Sequence, residues 1–127
     1  MGGIGILLSG AFLIAHGLIH ATFTVPPPPP GPVQWPFSLD QSRLLGHFAM
    51  VQDSQRIIGT VLWVTALVTF VFAGLGLWGL PVLTAWWSSL VGVGALASLL
   101  LLLCFWHKLL VFGVLIDVIL LMVVAWF

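Results

Sequence analysis

The chain contains no glutamate, no asparagine and no tyrosine, one cysteine, and only three basic and three acidic side chains in 127 residues. Charged residues make up 5% of it, against about 25% in a soluble domain. A water-facing surface cannot be built from so few charges, so the composition points to a membrane protein. No basic patch exists, which excludes nucleic-acid recognition. The lone Cys104 excludes an internal disulfide and a Cys-x-x-Cys redox site, and its apolar neighbours Leu103 and Phe105 predict an inert thiol. Phosphate-binding loops, EF-hand and zinc-ribbon spacings and coiled-coil heptads are absent too. Gly74–Gly79 matches G-x-G-x-x-G by letter, but it ends an apolar run before Pro81 instead of linking a strand to a helix, so the dinucleotide-binding meaning is rejected.

What is present is 61% hydrophobic residues, with a mean hydropathy of +1.27. They fall into four runs, each long enough to cross the roughly 30 Å hydrocarbon layer as a helix. The expected spans are residues 2–25, 56–80, 82–105 and 109–127. The first lacks a basic leader and a good cleavage site, so it reads as a retained helix and not as a secretory signal. Together they predict an all-α fold: a single domain, residues 1–127, forming an integral membrane four-helix bundle. A proline-rich loop and a short interfacial helix lie between spans one and two.

That connecting segment, residues 26–55, opens with five prolines, Pro26–Pro30. Proline has no N–H and a fixed φ, so the run predicts a stiff polyproline II spacer. The following stretch is the polar part of the chain. Ser38 with Gln41 has the form of a capping box, and Leu39, Leu44, Leu45, Phe48, Met50 and Val51 follow in a loosely helical pattern. Asp40/Arg43 and Asp53/Arg56 are spaced i, i+3 for local ion pairs.

Four spans place both termini on one side, side A, and the 26–55 loop and the 106–108 turn on the other, side B. Trp78, Trp86, Trp87 and Trp126 fall near side A and Trp35, Trp63 and Trp106 near side B, as two interfacial belts. All three basic residues lie on side B, which the positive-inside rule makes cytoplasmic.

The same topology gathers scattered polar residues. Asp117 sits mid-way along the last span, about 13 Å below Lys108 at 1.5 Å rise per residue. His16 lies at a similar depth in the first span. A charge at such a depth is costly unless partnered, and is a functional hypothesis by default. Asp117 is therefore expected to accept a hydrogen bond from His16, or failing that from Ser98 or Thr65. The candidate site residues are His16, His20, His107 and Asp117.

One reading of this cluster is structural: the His–Asp contact fastens the last helix to the first. The others are functional. His20 and His107 would be the axial pair of a b-type haem or a pigment, with Arg56 and Lys108 for its acidic groups. His16 and His20 at i, i+4, with Asp117, would hold a metal. The His–Asp pair near side B would serve a quinone, a lipid or a proton pathway.

The residues His16-Gly17-Leu18-Ile19-His20 in the first span, Arg56 and Trp63 in the second, the Trp86-Trp87 pair, Ser98 in the third, Trp106 in the last turn, and Gly113 with Asp117 in the fourth form a recurring pattern. In it the chain resembles a group of small bacterial four-span membrane proteins of unassigned function, and more loosely DoxX-like proteins. The pentaproline run departs from that pattern. The resemblance implies a four-span protein of the bacterial inner membrane and supplies no activity. The resulting expectation is a non-catalytic accessory or structural subunit of a larger membrane complex or a homo-oligomer. It would contact the bilayer and other membrane subunits, with no cofactor. The alternative is a haem-, chlorophyll-type pigment- or quinone-binding redox subunit.

Overall fold

The computed structural model describes residues 2–32, 34–40 and 42–127. Among these residues lie five α-helices: α1 (Gly3–Ile19), α2 (Arg43–His47), α3 (Gln52–Leu77), α4 (Leu83–Cys104) and α5 (Val111–Ala125). Tighter 3₁₀ turns continue α1 over His20–Thr24 and precede α5 over Lys108–Leu110, and no strand occurs among the described residues. Four stretches of the described residues are long and apolar enough to cross a membrane: Gly3–Thr24, Gln52–Leu77, Leu83–Cys104 and Lys108–Ala125.

The helices are packed as neighbours in chain order: α1 on α3, α3 on α4 and α4 on α5. Helix α4 is the most enclosed, with 44% of its span buried, and α5 the least, with 11%. Side-chain contacts confirm the alternating directions. The Trp78 indole N–H at the end of α3 donates to the Leu7 carbonyl near the start of α1 at 3.1 Å. The rings of Trp87 and Phe127 meet at 5.5 Å, joining the start of α4 to the end of the chain.

Glycine sets how closely the rods approach. A Cβ on Gly74 would lie 2.6 Å from the Gly10 carbonyl, and one on Gly17 would lie 2.9 Å from Phe70 Cβ. Gly10 and Gly17 are two turns apart and thus share the face of α1 that meets α3. Without a water-driven hydrophobic force between helices in lipid, such close backbone contact is what packing relies on. Gly74 and Gly76 of the rejected G-x-G-x-x-G match are therefore packing residues, Gly76 lying against Leu83. Gly79, at φ +89°, makes the turn that stops α3 two residues after Leu77.

Two corrections concern the connecting segment. Its helix starts at Arg43, not near Ser38, because Ser42 is the N-cap, its Oγ accepting from Leu45 N at 3.0 Å. Ser38 Oγ instead accepts from Asp40 N, and Gln41 lies outside the described residues. The helix lasts five residues and gives way to a turn in which Ala49 takes φ +55°. Helix α3 then starts at Gln52, four residues before the expected Arg56.

That early start has a polar cause. Gln55 Oε1 accepts from Ser42 N at 3.0 Å, and Gln55 Nε2 donates to the Met50 carbonyl at 2.7 Å. Ser42 Oγ donates to the Cys104 carbonyl at the end of α4, at 2.5 Å. Ser42 and Gln55 thus latch the loop onto two spans. The ion pairs also differ from the i, i+3 expectation. Arg56 Nη2 reaches back across the latch to Asp40 Oδ1 at 2.6 Å.

Two outcomes follow. Gly17→Leu should push α1 off Phe70 and destabilise the bundle by about 1–3 kcal/mol, the usual cost of overpacking, read as a lower unfolding midpoint in detergent. Gln55→Leu removes both partners of the latch. It should speed protease cleavage within residues 34–51 several-fold while leaving the helical circular dichroism of the spans unchanged.

Candidate functional site

Two apolar clusters fill the interior. Leu13, Ala66, Phe70, Ala73, Val91, Ala95 and Ala97 form one. Phe23, Leu101, Leu102, Cys104, Phe105 and Leu110 form the other, toward side B. Between them lies a polar layer of His16, His20, Ser98 and Asp117, all buried, with Ser98 and Asp117 fully inaccessible.

The layer is assembled from three helices. His16 is on α1, and His20 stands one turn later, where the helix tightens to 3₁₀. Ser98 is on α4 and Asp117 on α5. His16 Nε2 lies 3.1 Å from Asp117 Oδ1, the contact expected from their matched depths. Ser98 Oγ lies 2.5 Å from Asp117 Oδ2. His20 Nε2 lies 2.8 Å from Ser98 Oγ, and His20 Nδ1 donates to the His16 carbonyl at 3.0 Å. The chain of contacts therefore leaves α1, crosses α5 and α4, and returns to α1.

Phe70 closes the layer. Its ring meets the His16 ring at 4.8 Å, nearly edge to face, and the His20 ring at 6.0 Å. Room for it comes from two glycines. A Cβ on Gly17 or on Gly94 would lie 2.9 Å or 3.2 Å from Phe70 atoms. Phe12 stacks on His16 from the next turn at 5.9 Å. On α5, Gly113 lies one turn before Asp117, and a Cβ there would be 2.8 Å from Leu102 Cδ1. That close approach lets the carboxylate reach Ser98.

The structure brings together three of the four candidate residues. His107 lies elsewhere. Its Nδ1 accepts from Leu109 N at 3.1 Å, capping the 3₁₀ turn before α5, and its ring borders a side B recess with Trp35, Asp40, Arg43 and Trp106. Lys108 opens that turn, and Arg56 is engaged by Asp40. Thr65 turns to its own helix, donating to the Val61 carbonyl at 2.7 Å.

Ser98 carries more than its role as substitute partner suggested, because it bonds both Asp117 and His20. The signal was a run of small residues spaced i, i+4 along α4, Ala85/Ser89, Ser88/Gly92 and Gly94/Ser98, of which the last pair faces inward. Ala85 and Ser89, the first such pair, are exposed.

Two cavities flank the layer in the cleft between α1 and α5. One of about 210 Å³ touches His16, His20 and Ser98, and its apolar walls include Phe23, Phe37, Leu102, Leu110, Phe112 and Ile116. The other, about 680 Å³, lies toward side A between Phe12, Leu13, Trp87, Val91, Leu120 and Phe127. No group of three or more His, Cys, Asp or Glu side chains is arranged to hold a metal among the described residues.

Asp117→Leu would leave His16 Nε2 and Ser98 Oγ buried without their hydrogen-bond partner, at a cost of about 1–3 kcal/mol. The His16→Leu/Asp117→Leu double variant should then lose less than the sum of the two single changes. Strictly additive losses in detergent unfolding would show that the two side chains do not interact.

Comparison with protein-family models, with curated proteins and with solved structures returned no match to this chain.

Proposed function

We propose that this is a non-catalytic integral membrane protein that works as an accessory or structural subunit, held against other membrane helices or against copies of itself. The observation that carries this reading is the inward use of the polar layer. His16, His20, Ser98 and Asp117 are joined to one another across α1, α4 and α5. Side chains so engaged tie α1, α4 and α5 together. The sparsely covered α5, with only 11% of its span buried, and the exposed Ala85/Ser89 notch on α4 are the surfaces such a subunit would offer. Kinship with the small four-span proteins, residence in the bacterial inner membrane and a cytoplasmic 26–55 loop belong to the same reading.

A second reading has one observation in its favour. The 210 Å³ cavity puts apolar walls beside His16, His20 and Ser98, which suits the polar head of a lipid-soluble carrier such as a quinone. Haem suits it less. Both His20 nitrogens are already engaged, and the cavity is below the roughly 300 Å³ at which drug-sized ligand pockets begin.

Purification from native membranes at low detergent separates the two. The first reading expects a stoichiometric second polypeptide or a defined homo-oligomer, and a colourless preparation. A monomer from which solvent extracts stoichiometric quinone, lost in His16→Leu, would overturn it in favour of the second.

A further inference from the structure

The distances in the polar layer constrain where its protons lie. His20 Nδ1 faces a carbonyl oxygen, which only accepts, so Nδ1 carries a hydrogen. Each of the other three contacts, His20–Ser98, Ser98–Asp117 and His16–Asp117, needs one proton between its heavy atoms. Four contacts thus require four protons. Two neutral imidazoles, one hydroxyl and one carboxylic acid supply that number, so each of the four contacts is filled at zero net charge. Zero net charge is what a site inside the hydrocarbon layer favours.

Ser98 has a single hydrogen and two polar partners, and this leaves two arrangements when His16 donates from Nε2 to Asp117. In the first, Asp117 holds a proton on Oδ2 and donates it to Ser98, while Ser98 donates to a bare His20 Nε2. In the second, Ser98 donates to an Asp117 carboxylate and His20 Nε2 donates to Ser98. His20 is then an imidazolium.

We propose that Asp117, Ser98 and His20 form a proton relay linking α5 to α1 through the hydroxyl of α4. Moving from the first arrangement to the second breaks the Asp117 O–H bond and the original Ser98 O–H bond. It forms a new Ser98 O–H bond and a His20 N–H bond. Ser98 stays a hydroxyl, and net charge stays zero. Every heavy atom keeps its place, because the distances of 2.5 and 2.8 Å suit either direction of donation. Low local dielectric makes each member's bond sensitive to the next. The relay acts within one chain and goes beyond the docking role, whether or not a partner is present. Its His20 end borders the 210 Å³ cavity, where the charge of the second arrangement would be felt.

The test is magnetic resonance of isotope-labelled histidine nitrogens and aspartate carboxyl carbons in the full chain, held in phosphatidylcholine nanodiscs. The relay predicts a His20 Nε2 shift between the bare and protonated values that moves with temperature, accompanied by a matching movement of the Asp117 carboxyl carbon. Asp117→Asn, with its carbonyl accepting from His16 Nε2 and its NH2 donating to Ser98, should lock His20 Nε2 in the bare state. Ser98→Ala should abolish the temperature dependence and Ser98→Thr should keep it. A His20 shift that ignores both temperature and Asp117→Asn would overturn the proposal. Should the variants fail to fold, the wild-type chain decides alone: uncorrelated or temperature-independent His20 and Asp117 signals would refute the relay.

Discussion

A carboxyl group with no solvent exposure, midway along an apolar span, has to find hydrogen-bonding partners from other helices, because its own backbone offers none. Asp117 finds two, one from α1 and one from α4. The remaining packing is consistent with bringing those groups to it. Gly113 lets α5 close on Leu102, Gly17 and Gly94 make space for Phe70, and Phe70 presses both imidazoles into the layer. Helices α1 and α5 are not close neighbours along their length, yet His16 and Asp117 join them across a cleft that is open above and below.

The loop between the first two spans follows the same rule with different residues. Its backbone cannot be left unsatisfied against the helix ends, and Ser42, Gln55 and Gln52 supply the partners. The Arg56–Asp40 pair sits outside this latch, with both side chains more than half exposed, and adds little to stability. The neutral amide and hydroxyl bonds do the holding. They are short-range and insensitive to salt, and they fix where α3 begins.

Much of the architecture was legible because its causes are local. Span lengths follow from runs of apolar residues, the α4–α5 hairpin from the short link at residues 106–108, and the matched depth of His16 and Asp117 from the rise of a helix. Boundaries beside the loop were not legible. Whether Ser38 or Ser42 caps α2 depends on the Cys104 carbonyl and Gln55, which lie 62 and 13 residues away. Arg56 likewise has an acidic residue at i−3, yet it pairs with Asp40, sixteen residues back.

Hydrophobicity and spacing by themselves determined that four apolar rods alternate in direction and that one acid and the His16 imidazole share a level. These properties depend only on chain length, rise per residue and the cost of charge in hydrocarbon. Which side chain completes the layer was a tertiary matter. Ser98 and His107 both had the chemistry to join His20, and only the packing of α4 against α3 at Gly94 turns the serine inward, while the end of the hairpin holds His107 at the turn. A hydroxyl with two partners and one hydrogen is a consequence of three helices meeting, and no single segment encodes it.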